Sequence, residues 1–166
     1  MSPHLTTRPL IPSDLDAISA LHARVFGPGR FARSAYRVRE GTAGVSRFCR
    51  GAFFGEKLIA ALRMTEVAIG GRSGALLLGP LAVSAEFAGQ GFGRQLIAET
   101  IEASRAAGVQ LIVLVGDEPY YGRFGFRIVP NGQVKFPGPA NPARILAAEL
   151  VPGALNDYRG LVAADR

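Results

Sequence analysis

Between an apolar stretch that ends at Val83 and an apolar run of helical spacing that begins at Leu96 lies Ala88-Gly89-Gln90-Gly91-Phe92-Gly93-Arg94. Glycine lets a backbone come close to a ligand with no Cβ in the way. A glycine-rich turn that opens a helix presents N–H donors at the positive end of the helix dipole, which suits a phosphate or pyrophosphate. Spacing alone leaves two readings open, a phosphate cradle or a tight strand-to-helix connection. The dinucleotide fingerprint does not fit, because the glycines fall at relative positions 1, 3 and 5 rather than 1, 3 and 6. Nor does a P-loop, whose lysine has no counterpart here. Metal and disulfide chemistry lack their residues: Cys49 is the single cysteine, and with His4 and His22 it makes too poor a set for structural zinc. On an alternating stretch, Cys49 reads as buried packing rather than a nucleophile. By themselves Tyr120 and Tyr121 read as core aromatics with satisfied hydroxyls.

Charge supplies another candidate. Of the net +6, all sits in residues 1–83, with 11 basic against 5 acidic residues, whereas residues 84–166 hold 8 of each. Arg30, Arg33, Arg37, Arg39, Arg47 and Arg50 crowd one stretch opposed only by Glu40. Such a stretch attracts an anionic ligand or nucleic acid by long-range electrostatics, or serves as a solvated basic face.

These residues need a scaffold. The chain has 166 residues, 48% of them hydrophobic and 19% charged, which suits one globular domain over residues 1–166 and excludes disorder over most of the length. The longest apolar runs, Ala75 to Leu78 and Leu111 to Val115, are far too short to cross a bilayer. Met1 to Arg8 shows no basic region followed by an apolar one, so the expectation is a cytoplasmic protein without a secretory signal. The pattern predicts a strand over Leu5 to Ile11, then an N-cap from Pro12-Ser13-Asp14 and a helix through Leu15, Ile18, Leu21 and Val25. A short Arg-rich helix over Phe31 to Arg39 follows, then strands Arg47 to Phe54 and Leu58 to Ile69 joined as a hairpin at Gly55-Glu56-Lys57. The strand Ala75 to Val83 carries Gly79-Pro80, where it should bulge or splay. After the glycine loop, a long helix runs to Gly108 and leads to a buried strand, Gln110 to Val115, parallel to its predecessor. A short helix over Tyr120 to Gly125 and strands Phe126 to Val129 and Arg144 to Val151 complete a mixed α/β or α+β sheet domain.

Two separated motifs make the chain resemble the GNAT (Gcn5-related) N-acetyltransferases, in particular their YhbS-like branch. Leu81-Ala82-Val83-Ser84-Ala85-Glu86-Phe87-Ala88-Gly89-Gln90-Gly91-Phe92-Gly93-Arg94 is similar to the family's central strand and acetyl-CoA pyrophosphate loop, with Ala88 where Gln or Arg is usual. Gly116-Asp117-Glu118-Pro119-Tyr120-Tyr121-Gly122-Arg123-Phe124-Gly125-Phe126 resembles the branch's Gly-Asp-Pro-x-Tyr-Tyr-x-Arg-Phe-Gly-Phe, and residues 148–155 resemble its C-terminal segment. The resemblance covers roughly residues 5–155 and is strongest over 76–129.

The resemblance implies a mostly antiparallel twisted sheet with a central splayed parallel pair flanked by helices. It implies acetyl-CoA as co-substrate and no metal. The backbone of Leu81, Ala82 and Val83 would pair with the pantetheine arm, and the loop from Ala88 through Gly89, Gln90, Gly91, Phe92 and Gly93 to Arg94 would hold the pyrophosphate. Tyr121 would donate a proton to the departing sulfur, a role that suits a phenol with its ordinary pKa near 10. Glu66 and Glu86 lie near enough in sequence to be bases, but each reads as a solvated carboxylate, and the base stays unassigned. Early helices wall the acceptor side in such folds, which puts the Arg30 to Arg50 stretch near the acceptor and suggests a small-molecule or peptide amine with a negative group. The same arginines could instead meet the 3′-phosphate of coenzyme A. Relatives often pair as homodimers. The expected function is transfer of an acetyl group to a primary amine by direct attack. The alternatives are a catalytically inactive acyl-CoA sensor or scaffold and, last, a nucleic-acid-binding module with no recognised motif behind it.

Overall fold

The computed structural model describes residues 5–27, 34–42 and 44–165, with backbone alone over 34–36. Its elements in chain order are β1 (Leu5–Pro9), α1 (Leu15–Phe26), α2 (Ser34–Arg39), β2 (Arg50–Phe54), β3 (Lys57–Ile69), β4 (Arg72–Val83), α3 (Phe92–Ala106), β5 (Leu111–Val115), α4 (Glu118–Tyr121), β6 (Arg127–Ile128), β7 (Val134–Lys135), β8 (Ile145–Glu149) and β9 (Gly160–Ala164). The sheet runs β1-β2-β3-β4-β5-β8-β6, with β9 pairing both β3 and β7. Its ladders are antiparallel except β4–β5 and the two-residue contact β7–β9. The expected mixed, mostly antiparallel sheet with a central parallel pair is therefore what the chain builds.

Long β3 and β4 form the middle because their side chains are apolar on both faces and both faces are covered. Gly70 and Gly71, both at positive φ, make the tight turn that joins them. On one face Leu96 and Ile97 of α3 pack with Ile59, Leu62, Met64, Leu76, Ile112, Leu114 and Phe126. On the other, Ile18 and Leu21 of α1 cover Ala61 and Ala82, while Val67, Leu77, Val113 and Val162 form a further cluster.

Several expectations need correction. Asp14 stands at the N-cap position of α1 as expected, but its side chain makes no capping bond there: its carboxylate accepts the Ile11 N–H at 2.8 Å and two bonds from Arg8 at 2.9 and 3.0 Å, closing the preceding 3₁₀ turn. β2 begins at Arg50 rather than Arg47, because Cys49 N–H turns back to Ser46 O. Cys49 is buried as expected, but in that turn rather than on a strand. β7 and β9 escaped the sequence pattern, since β7 has two residues and β9 buries only Val162. The first part of the expected second helix, Phe31 to Arg33, lies outside the described residues, as do Arg30 and His4.

Candidate active site

The parallel pair β4–β5 is short. Ala75, Leu76 and Leu77 pair with Leu111, Ile112 and Val113, and there the ladder stops. Beyond it β4 stays with β3 through Leu81↔Leu62, Ala82↔Ala61 and Val83↔Ala60, while β5 stays with β8 through Leu114↔Leu146 and Val115↔Ile145. The strands part at Gly79-Pro80, where proline has no N–H to offer a neighbour. Ser84 N–H is held by Ile59 O at 2.7 Å, so the ladder's alternation turns the polar backbone groups of Val83 and Leu81 away from β3, toward the gap. That edge can take an extended polar ligand as an added strand.

The three loop glycines do different work. Gly89 and Gly91 sit at φ +76° and +89°, in the left-handed region, with open space where a Cβ would stand. They turn the chain so that it enters α3. Gly93 is helical and answers to packing: a Cβ there would lie 3.2 Å from Leu81 Cδ2, 3.2 Å from the Tyr120 hydroxyl oxygen and 3.9 Å from Val83 Cγ2. The first bond of α3 runs from Gln95 N–H to Gly91 O at 3.0 Å, so the N–H groups of Phe92, Gly93 and Arg94 belong to a first turn without intrahelical partners. Among the described residues no carbonyl accepts the N–H of Gly89, Gln90 or Gly91 either. The loop can thus offer a row of donors to an anion.

α4 closes the far side of the gap. Asp117 O accepts both Tyr120 N–H at 3.1 Å and Tyr121 N–H at 3.0 Å, setting the two rings side by side with centroids 4.9 Å apart and planes at 90°. Tyr121 lies over Gly116, where a Cβ would stand 2.6 Å from its Cε2, and packs edge-on to Phe126 at 5.9 Å. Tyr120 reaches across to the first turn of α3, and the Arg123 guanidinium sits over its ring at 5.1 Å. Leu81, Val83, Gly93, Tyr120 and Tyr121 are in this way one connected wall. Ala82 points its side chain into the opposite cluster beneath α1, and the same alternation turns its backbone polar groups toward Ala61 of β3, so it joins Leu81 and Val83 without facing the gap itself. Tyr120, which by sequence reads as a core aromatic, stands in this wall, and the doubled tyrosine is its one signal in the sequence.

The arginine stretch divides. Arg50 Nε meets Glu99 at 2.7 Å, Arg47 meets Glu66 at 3.4 Å, and Arg37 packs against Gly138. Arg39 is buried and lines a separate cleft between α2 and β3. Burial alone would push the Glu99 carboxyl up, but hydrogen bonds from Thr7, Gln95 and Arg50, together with the Arg50 charge, hold it below its usual range. Glu86 pairs with Lys57 at 3.6 Å on the surface. Among the described residues no group of three or more His, Cys, Asp or Glu could hold a metal ion, and no helix is long and apolar enough to cross a membrane.

Residues 6–129 match the family model described as an acetyltransferase (GNAT) domain. The Escherichia coli K12 protein called uncharacterized N-acetyltransferase YhbS is 33% identical over 85 residues, 51% of each chain, so the match spans about half the length of this curated relative. Among solved structures, the GNAT family N-acetyltransferase YhbS of Escherichia coli in complex with CoA superposes with a TM-score of 0.82 at 27% identity, over 99% of this chain and 92% of that one. A GNAT family acetyltransferase of Brucella melitensis in complex with acetyl-CoA shares the fold, with a TM-score of 0.70 at 24% identity over 98% and 96%.

Proposed function

The chain belongs to the GNAT acetyltransferase family and is an acyltransferase; from that premise we propose that it binds acetyl-CoA along the open edge of β4 and transfers the acetyl group to a primary amine. The observation that carries the reading is the coincidence, in one gap, of three separate devices. These are the unpaired backbone edge at Leu81–Val83, the donor row from Gly89 to Arg94 at the start of α3, and the tyrosine pair of α4. An extended amide-bearing arm suits the first and a pyrophosphate the second. The relative complexed with CoA supports the same assignment.

In the proposed reaction the neutral amine attacks the thioester carbonyl carbon, a C–N bond forms, and the C–S bond breaks. The departing thiolate takes a proton from the Tyr121 hydroxyl, and the new amide nitrogen loses its extra proton to solvent. No enzyme-bound acyl intermediate is required. Arg94, exposed on the first turn of α3, adds charge to the donor row. The Ala88 N–H is already donated to Ala85 O at 3.3 Å, and its methyl group stands where Gln or Arg is usual, which favours the second reading, a sensor that binds acyl-CoA without turning it over. We extend the first reading to a cytoplasmic enzyme of one domain over residues 1–166, with a homodimer as the assembly to seek by light scattering.

Calorimetry with acetyl-CoA and with coenzyme A lacking its 3′-phosphate, followed by a thiol-release screen over amines, tests the proposal. Micromolar binding with thiol release on one amine class is expected. Binding without release on any amine favours the sensor, and failure of acetyl-CoA to bind overturns both.

A further inference from the structure

Among the described residues, no strand covers one stretch of the edge of β3. β2 leaves it at Arg50↔Leu62 and β9 joins it only at Val67↔Ala164. Opposite Met64 to Glu66, the residues Thr42, Gly44, Val45, Ser46 and Asp165 stand off to leave a cleft of ≈ 180 Å³, space enough for several water molecules. Much of the backbone of its floor is already engaged. Met64 O accepts from Ser46 Oγ, Met64 N–H reaches Cys49 Sγ at 3.3 Å, and Glu66 O accepts from Asp165 N–H at 2.9 Å. What the cleft offers a ligand is side chains.

Two of the polar ones are nine-tenths or more buried. Arg39, 7% exposed, brings a guanidinium from α2, and Thr65, 5% exposed, brings a hydroxyl with no hydrogen-bond partner among the described residues. A buried hydroxyl without a partner is unfavourable unless something else satisfies it. A cation beside a hydroxyl donor is the pairing that recognises a carboxylate. Glu66 and Asp165 line the same cleft and would repel a bare anion, so they select a ligand that carries positive charge as well. Met64 pairs with Leu78, next to the Gly79 where β4 leaves β5, so the strand that floors the cleft lies one strand spacing, about 4.8 Å, from β4.

Resting on the acyltransferase reading, we propose that this cleft is the acceptor's recognition site and that the acceptor is an amine-bearing carboxylic acid of amino-acid type, its carboxylate held by Arg39 and Thr65. Saturation-transfer NMR on the full chain without acetyl-CoA tests it directly, with L-lysine against 1,5-diaminopentane and L-leucine against 3-methylbutylamine as pairs differing only in the carboxylate. Each amino acid should bind at least tenfold more tightly than its partner. Thr65→Val, close to isosteric and free of the unpaired hydroxyl, should fold and lose tenfold or more of that affinity, as should Arg39→Gln, while acetyl-CoA affinity stays within twofold by calorimetry. Equal affinity within both pairs, no binding of either amino acid, or a folded Thr65→Val that binds as the parent does overturns the proposal. Amino-acid binding in a chain that does not bind acetyl-CoA would instead leave the cleft standing and remove the acyltransferase reading.

Discussion

The hydroxyl oxygen of Tyr120 lies 3.2 Å from the point where a Cβ on Gly93 would stand, so α4 and the first turn of α3 meet across the gap at the one position where the helix carries no side chain. Leu81 Cδ2 crowds the same point at 3.2 Å. This close approach ties the β4 edge, the donor row and the tyrosine pair into one rigid corner.

Gly93→Ala sets two effects against each other. Alanine gains about 1 kcal/mol of helix propensity over glycine, while pushing Tyr120 and Leu81 aside costs about 1–3 kcal/mol. The expected net loss is up to about 2 kcal/mol, with weakened acetyl-CoA binding. Adding Tyr120→Phe should restore part of both, and denaturant melts with calorimetry on the double-mutant cycle read the coupling.

Tyr121→Phe keeps the ring over Gly116 and its contact with Phe126, and removes the hydroxyl that is the proposed proton donor. Turnover should fall by roughly 10² to 10⁴, with the acetyl-CoA dissociation constant and the melting temperature unchanged. Unchanged kcat would remove Tyr121 from the chemistry.

Gly91→Ala places a Cβ in open space but at φ +89°, so its cost is conformational rather than steric. A loss of about 1–2 kcal/mol is expected, or a loop that relaxes to another φ and misdirects its N–H groups. Either result should raise the acetyl-CoA dissociation constant, and calorimetry beside a thermal melt separates them.

Glu99 gathers Thr7 of β1, Arg50 of β2 and Gln95 of α3 around one carboxylate. Its folded pKa is depressed, so the stability it contributes is present above the unfolded pKa and lost as pH falls through the folded value. The stability difference between the parent and Glu99→Gln should be about 1 kcal/mol at neutral pH and shrink between roughly pH 5 and pH 3. Urea melts across that range check the sign; a difference that grows on acidification would contradict the assigned network.

Much of the site was legible because its signals are local. The left-handed turn at Gly89 and Gly91, the break at Gly79-Pro80 and the Tyr120-Tyr121 pair are each set by a few neighbouring residues. Conformational freedom and missing donors act over that short range.

The arginines show where local reading stops. Arg37, Arg39, Arg47 and Arg50 look alike in sequence, yet one packs on Gly138, one is buried in the cleft, one meets Glu66 and one meets Glu99, 49 positions away. Asp14 likewise has the sequence of a helix cap and the structure of a partner for Arg8. The sequence by itself determined the order of elements apart from β7 and β9, the glycine turn that opens α3 and the family motifs, since these follow from periodicity and short-range chemistry. Only the tertiary structure decided which charge faces which cavity, how β9 reaches β3, and that Tyr120 meets Gly93, because these depend on pairings between distant segments that no local pattern encodes.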